Sequence, residues 1–316
     1  MKKPYRKHLS GYTDLVTTYE EVRAGFVALA LEKNRRATPF VEQARSLKTA
    51  ASQAKNPADL LNIQSIQHAL LTASGVSDKA MNYLEPQDRL EAIQKLIEKY
   101  LEPAGSAFVE ELVFRFLLTR GDTLGGSMRN VGGVLGERKL ARATLANLAL
   151  AGITYQWLHA DSEEWIVGKK DDADVELYLN GLSWSSKGKR RTMIYNRRVP
   201  FIGKNIDLCL LNCSPEEINT AFNNPSCYIA LGELKGGIDP AGADEHWKTA
   251  NSSLSRIRKA FSKHRFSPHL FFVGAAIENS MAEEIWGQLK DGTLSNAANL
   301  TNSDQVASLC GWLCSL

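Results

Sequence analysis

At Gly152 the pattern of the chain changes. Upstream, apolar residues recur at helical spacing. Thr13-Asp14 opens a run in which Leu15, Tyr19, Val22, Phe26 and Leu29 share one face. Further helices are predicted at 39–54, 57–73, 88–101 and 103–120, with Asn56 as a cap, Pro57 in a first turn, and Pro86 and Pro103 as punctuation. A glycine-rich turn, Gly121 to Asn130, then leads into a helix over 134–150. Downstream the apolar residues form short runs rich in β-branched and aromatic side chains: 153–158, 175–179, 182–185, 191–195, 206–211, 227–234 and 270–277. Helices over 242–263, 280–290 and 303–314 are interleaved with the last of these. The expectation is an all-helical half, 1–150, followed by an α/β half, 151–316.

Two of the strands carry charge at their ends. Asp207 enters the apolar run 206–211, and 26 residues later Glu233 and Lys235 close the next one. Two carboxylates are hard oxygen ligands for a divalent cation, and the lysine is a fixed cation for a phosphate oxygen or an attacking hydroxide. Strand alternation puts Glu233 and Lys235 on the same face. Sites in α/β sheets gather at strand ends, and Gly236-Gly237 lets the backbone turn close beside a ligand. A buried structural ion network is the other reading of the same three residues.

No carboxylate stands between Glu176 and Asp207, while Lys187, Lys189, Arg190, Arg191, Arg197, Arg198 and Lys204 do, interleaved with Trp184 and Tyr195. Such a run suits a nucleic-acid backbone or a strand edge protected by cations. The whole-chain balance of +3 announces no such partner by itself. The turn at 121–133 lacks the Gly-Lys-Ser/Thr ending of a P-loop and follows no strand. It reads either as a close helix–helix joint or as a place where Arg129 and a helix N-terminus meet a phosphate. His246, 13 residues after Glu233, falls in the first turns of the following helix, where it orients or deprotonates a water or simply packs. That helix continues with Arg256, Arg258, Lys259, Lys263 and Arg265.

The cysteines (Cys209, Cys213, Cys227, Cys310, Cys314) are odd in number, and no histidine pair completes a zinc signature, so packed interior thiols are expected. No apolar run approaches the ~18 residues of a membrane span, and no signal-peptide core follows the start, which points to the cytoplasm.

Together, Asp207 and Glu233-x-Lys235 resemble the PD-(D/E)xK nuclease motif, with Ile206 where that motif has proline. The longer string from Leu231 through Asp239 and His246 to Asn251 is similar to the AvaI/BsoBI family of type II restriction endonucleases. So are Thr17–Glu21 with Arg23–Phe26, Gly121-Asp122 with Gly125-Gly126 and Met128–Asn130, and Gly274–Glu278 with Ser280–Trp286. The resemblance runs from near residue 13 to Leu316. It implies an α/β (α+β) restriction-endonuclease-like core, a mixed β-sheet flanked by helices, behind a helical DNA-wrapping domain. It also implies a homodimer around double-stranded DNA, Mg²⁺ dependence, and cleavage of the palindrome CYCGRG after its first base. Asp207 and Glu233, with the Leu234 carbonyl, would hold the metal, and Lys235 and His246 would complete the catalytic set. Base contacts would fall on Lys79, Lys204 and Asp239, and phosphate contacts on Arg129, Lys189, Arg190 and Arg191. Two alternatives stay open at this point: a PD-(D/E)xK nuclease of repair or junction resolution, and a non-catalytic site-specific DNA-binding protein.

Overall fold

The computed structural model describes residues 3–128, 130–169 and 172–316. Ten α-helices and eight strands are assigned among them: α1 Tyr19–Ala51, α2 Gln67–Ala73, α3 Asp78–Met81, α4 Pro86–Leu96, α5 Phe108–Met128 and α6 Val131–Leu150. Then come β1 Tyr155–His159, β2 Trp165–Val167, β3 Leu179–Ser186, β4 Lys189–Val199, β5 Lys204–Leu211, α7 Ile218–Ala221, β6 Tyr228–Lys235, α8 Ala243–Lys263, β7 His269–Gly274, α9 Asn279–Asp291, β8 Asn296–Asn299 and α10 Ser303–Ser315.

Compact units divide the chain differently from the change of pattern at Gly152. One contains 1–26 and 132–316, the other 27–131. The first is an α/β unit around a single mixed sheet of order β2-β1-β3-β4-β5-β6-β7-β8. β6, β7 and β8 run parallel, and the other neighbours are antiparallel. Parallel neighbours need a crossover, and α8 supplies it between β6 and β7. Side chains alternate across the sheet. Ile194, Cys209, Leu211, Leu231 and Phe272 join one buried cluster with Ala250, Leu254, Ile257 and Phe261 of α8 and Ile285 of α9. On the opposite face Phe271 meets Trp312 of α10 at 6.1 Å, and Tyr195 shares a small cavity with Glu137 and Ala141 of α6. The layers are therefore helix, sheet, helix.

Residues before α1 belong to this unit. Tyr5 packs edge-on against Trp286 at 5.5 Å, the Thr17 hydroxyl donates to the Ala275 carbonyl at 2.7 Å, and Asn299 Nδ2 donates to the Leu15 carbonyl at 3.0 Å. The second unit is helical, with Leu47, Leu60, Leu70, Ile93, Leu101, Leu112 and Phe116 in its core.

Several expectations change. The glycine-rich segment is not a turn: α5 stays helical through Gly121, Gly125 and Gly126 to Met128. Arg129 lies outside the described residues. Helix α1 continues through Pro39 instead of breaking there. Residues 175–177 form a 3-10 turn, entered from Asp174 at φ 60°, where a strand was expected. β8 reads Asn-Ala-Ala-Asn and carries no β-branched or aromatic signal. Pairing with β7 and the bonds of buried Asn299 hold it in place. Cys209, Cys213 and Cys310 are buried, and the five cysteines are unpaired. No helix among the described residues is long and apolar enough to cross a membrane.

Glycine does its structural work at the start of α6. A Cβ on Gly236 would sit 2.1 Å from the Gly132 carbonyl oxygen, and one on Gly132 would sit 2.9 Å from the Gly236 oxygen. Backbone rests on backbone, which no other residue allows. Gly236→Ala is accordingly expected to destabilise by about 2–3 kcal/mol, the cost of forced overpacking. Gly126→Ala, in helical α5 with nothing within 4 Å of a new Cβ, should stabilise by about 0.5–1 kcal/mol. Urea denaturation of the two variants checks the pair, and equal shifts of one sign would contradict the packing.

Candidate active site

The β5–β6 ladder ends at Leu208↔Gly232. Beyond it, Asp207 takes over the pairing with its side chain: Oδ2 accepts from the Leu234 backbone N–H at 2.8 Å. The same oxygen accepts from Lys235 Nζ at 3.1 Å, and Lys235 also donates to Glu233 Oε2 at 3.0 Å. One ammonium thus stands between two carboxylates. Asp207, Glu233 and Lys235 all project on the α8 face, as strand alternation requires. The Glu233 side chain is only 4% exposed, against 28% for Asp207 and 20% for Lys235. The group is therefore open on the aspartate side.

Glu233 has a second partner. Ser253, on the buried face of α8, donates its hydroxyl to Glu233 Oε1 at 2.6 Å. Burial, together with the charge of Asp207, raises the Glu233 carboxyl well above the usual carboxylate range, although Lys235 and the Ser253 hydroxyl pull it down. Burial pulls the Lys235 ammonium down, but the two carboxylates more than offset this and its pKa is raised. A third acid approaches from α6. Glu137 follows Gly136, whose Cα has no room for a side chain between Leu300 and Gly236. Burial, and then the charge of Asp207, push its carboxyl up to about 6. The site carries more carboxylate than its single ammonium can balance.

That chemistry fits a divalent cation. Among the described residues no cluster of three or more histidine, cysteine or acidic side chains forms a complete cage. Mg²⁺ characteristically keeps waters and takes only one or two carboxylates plus substrate phosphate oxygens. Asp207 and Glu233, already sharing a cation, satisfy that description.

His246 lies in the first turn of α8, exposed, with its ring over the loop that follows β6. A Cβ on Gly237 would come within 3.2 Å of its Cε1, and one on Gly242 within 3.1 Å of its Nε2. The glycines after Lys235 therefore make room for α6 and for this imidazole. Next to it, Trp247 is buried and donates Nε1 to Glu284 Oε2 at 2.6 Å, which anchors the helix start. Asp239 is exposed and caps the short turn before α8 by accepting from the Ala241 N–H at 3.0 Å.

Among the described residues, the remaining candidates make no hydrogen bond to this group. Lys204 opens β5 and is exposed. Lys79 is an exposed residue of α3 in the other unit. Lys189 and Arg190 start β4, whose Thr192 pairs with Leu211 at the far end of β5 from Asp207. Arg190 is paired with Glu217 at 3.2 Å. Arg191 needs correction as a phosphate contact. It is 6% exposed, and its guanidinium donates to Asn212 Oδ1, to the Arg190 carbonyl and to the Leu316 oxygen.

Ser253 and Glu137 escaped the sequence reading. Both leave one faint trace, a polar residue in a helical stripe that is otherwise apolar or small: Ala250, Ser253, Leu254, Ile257 in α8, and Glu137, Leu140, Ala141, Thr144 in α6.

A carboxyl whose folded pKa is raised stabilises the fold below its unfolded pKa and loses that contribution as pH rises through the folded one. Ionised Glu137 therefore weakens the folded state above pH ~6. Glu137→Gln should raise metal-free stability at pH 8 by about 1 kcal/mol, the linkage value discounted for a partly exposed group. The gain should fade as pH falls below 6 towards 4.5. Urea midpoints of both proteins across that range test it, and a gain independent of pH would contradict it.

Comparison with known proteins identifies the family. The family model of restriction endonuclease BsobI matches residues 5–316. The type II restriction enzyme AvaI of Nostoc sp. is 62% identical over 314 residues, covering 99% of this chain and 100% of that protein. The AvaI enzyme of Anabaena variabilis matches to the same extent. The type II restriction enzyme BsoBI of Geobacillus stearothermophilus is 54% identical over 317 residues, covering 99% of this chain and 98% of that protein. The match covers nearly the whole chain, and the chain belongs to the BsobI family of restriction endonucleases.

Proposed function

We propose that this chain, a type II restriction endonuclease by family, is a Mg²⁺-dependent homodimer. It acts in the cytoplasm on double-stranded DNA at CYCGRG and cuts after the first C. The observation that carries the reading is the single Lys235 ammonium between the Asp207 and Glu233 carboxylates at the end of β6.

Asp207 and Glu233 would hold the cation, joined by the Leu234 carbonyl. When bound, Mg²⁺ supplies charge stabilisation at the phosphate and lowers the pKa of a water. Lys235 then turns to the phosphate, where its ammonium neutralises charge that develops on a non-bridging oxygen. Ser253 fixes the rotamer of Glu233 by its 2.6 Å bond, so the carboxylate is preorganised before substrate arrives. His246 is exposed and within the same loop-helix unit, and it orients the attacking water and accepts its proton. The products are a 5′-phosphate and a 3′-hydroxyl, the latter protonated from solvent as the P–O bond breaks.

Sequence would be read by Lys79 and Lys204, donating to guanine O6 and N7, and by Asp239, accepting from cytosine N4. One oxygen of Asp239 is already bonded to the Ala241 N–H, which aims the carboxylate. At the two degenerate pairs, the second and fifth of the site, contacts confined to purine N7 accept A and G alike. A two-fold dimer presents the same set to each half of the palindrome. The helical unit that carries Lys79 would close around the duplex. Exposed Lys189 and Arg190, and Arg129, would meet phosphates.

Purified protein with Mg²⁺ should cut duplexes containing CTCGAG, CCCGGG and CTCGGG, and leave GTCGAC intact. Asp207→Asn and Glu233→Gln should each lower the cleavage rate about a thousandfold or more, as loss of metal stabilisation requires, while site-specific binding persists. His246→Ala should cost about a hundredfold to ten-thousandfold. A digest without discrete fragments, or near-normal turnover of the Glu233 variant, would refute the assignment.

A further inference from the structure

From His246 to Ile277 the chain holds no carboxylate. Within that stretch α8 buries Trp247, Ala250, Leu254, Ile257 and Phe261, which leaves Lys248, Arg256, Lys259 and Lys263 exposed on its outer side. These four recur at intervals of three, four and eight residues and so form one stripe. The stripe borders a groove of about 870 Å³, lined also by Arg258 and by the hydroxyl residues Ser252, Ser255 and Thr293, with no acidic residue in its wall. Among the described residues only Lys248 of the four is in an ion pair, with Asp244. Asp291, held below the usual carboxylate value first by its hydrogen bonds from Thr293 and then by Arg258 and Lys3, is an acid nearby.

The groove starts beside the site, where Lys248 and Ser252 are neighbours in sequence of His246 and Ser253, and runs away from the carboxylates along Arg256, Lys259 and Lys263. Phe261 packs 5.2 Å from Tyr228, the first residue of β6, whereas Glu233 and Lys235 lie near the other end of that strand. At about 1.5 Å of rise per residue, Lys263 lies about 15 Å along α8 from Ser253, whose hydroxyl holds Glu233.

We propose that this groove binds the phosphodiester backbone of duplex DNA outside the recognition palindrome, an inference that rests on the reading that the chain acts on double-stranded DNA. Lys248 to Lys263 spans about 22 Å of helix, the length over which one DNA strand presents about six phosphates. Ammonium, guanidinium and hydroxyl groups are the donors that phosphates take, and they carry no sequence information. The groove thus holds flanking DNA while the active site reads the palindrome. It adds a salt-sensitive attraction that lets the enzyme stay on a long duplex between sites.

The test uses the full chain carrying Arg256→Gln, Lys259→Gln and Lys263→Gln together, and two duplexes that contain the site at their centre. One of about 10 base pairs ends about 17 Å from its centre and does not fill the Lys263 end of the groove; one of about 30 base pairs extends past it. In metal-free buffer, affinity for the longer duplex should fall about tenfold or more, and the slope of log K against log salt should become shallower by about 2.7 per protomer, or about 5.4 for the dimer. Affinity for the shorter duplex should fall by a clearly smaller factor, and its cleavage with Mg²⁺ should persist. Equal weakening on both duplexes, or no change on either, overturns the proposal. So does an altered solution mass of the free protein with unchanged binding to the longer duplex, which would assign the groove to contact between copies of the chain. If the unsubstituted protein failed to cut even the shorter duplex, the nuclease reading would fall, while the comparison of the two affinities would still decide the groove.

Discussion

Everything at the site depends on Asp207 Oδ2 accepting two bonds, one from the Leu234 N–H and one from Lys235. The backbone bond substitutes for a missing rung of the β5–β6 ladder, so the carboxylate is held by the sheet itself. The ammonium bond then draws Glu233 into the same group through their common lysine. A buried acid pair is unfavourable without a cation, and here the cation is built into the strand that carries one of the acids. A metal held by these carboxylates would need only to displace Lys235 from one of them, a small motion of a flexible side chain. The rest of the α/β unit, including the glycine contact of α6 with the turn after β6, serves to keep that arrangement in register.

Legibility in the sequence followed the range of the forces involved. Asp207, Glu233 and Lys235 were readable because strand alternation and strand ends are local properties, and the structure brings the three together as expected. Ser253 and Glu137 were not, since each meets the site only through the docking of a helix, and a single polar residue in an apolar stripe has many uses. Arg191 shows the converse. It sits in the most basic stretch of the chain and looks like a phosphate contact, yet strand position buries it against Asn212 and the Leu316 oxygen. Charge counted along a sequence does not say which face of a strand carries it.

The same holds for the fold. Strands with β-branched and aromatic residues were found where the pattern put them, while β8, made of asparagine and alanine, is a strand because its neighbours make it one. The glycines near residue 125 suggested a turn, but glycine is only permissive, and the helix continues through three of them to Met128. Those at 132 and 236 proved decisive, because backbone must touch backbone there. The difference between the two sets lies in the tertiary contacts that each glycine meets, and those are not written locally.

Tyr5, Leu15 and Thr17 are fastened to Trp286, Asn299 and Ala275, contacts that close loops of more than two hundred residues. The helical unit 27–131 lies wholly inside those loops. Contacts of such sequence separation form late, after local structure has paid little for its own short loops. During synthesis the helical unit can therefore assemble on the ribosome while the α/β unit waits for β7, β8 and α10 to emerge. A nascent chain would complete its helical unit before it has a finished sheet to cut DNA, and that order delays nuclease activity until the last strand is in place.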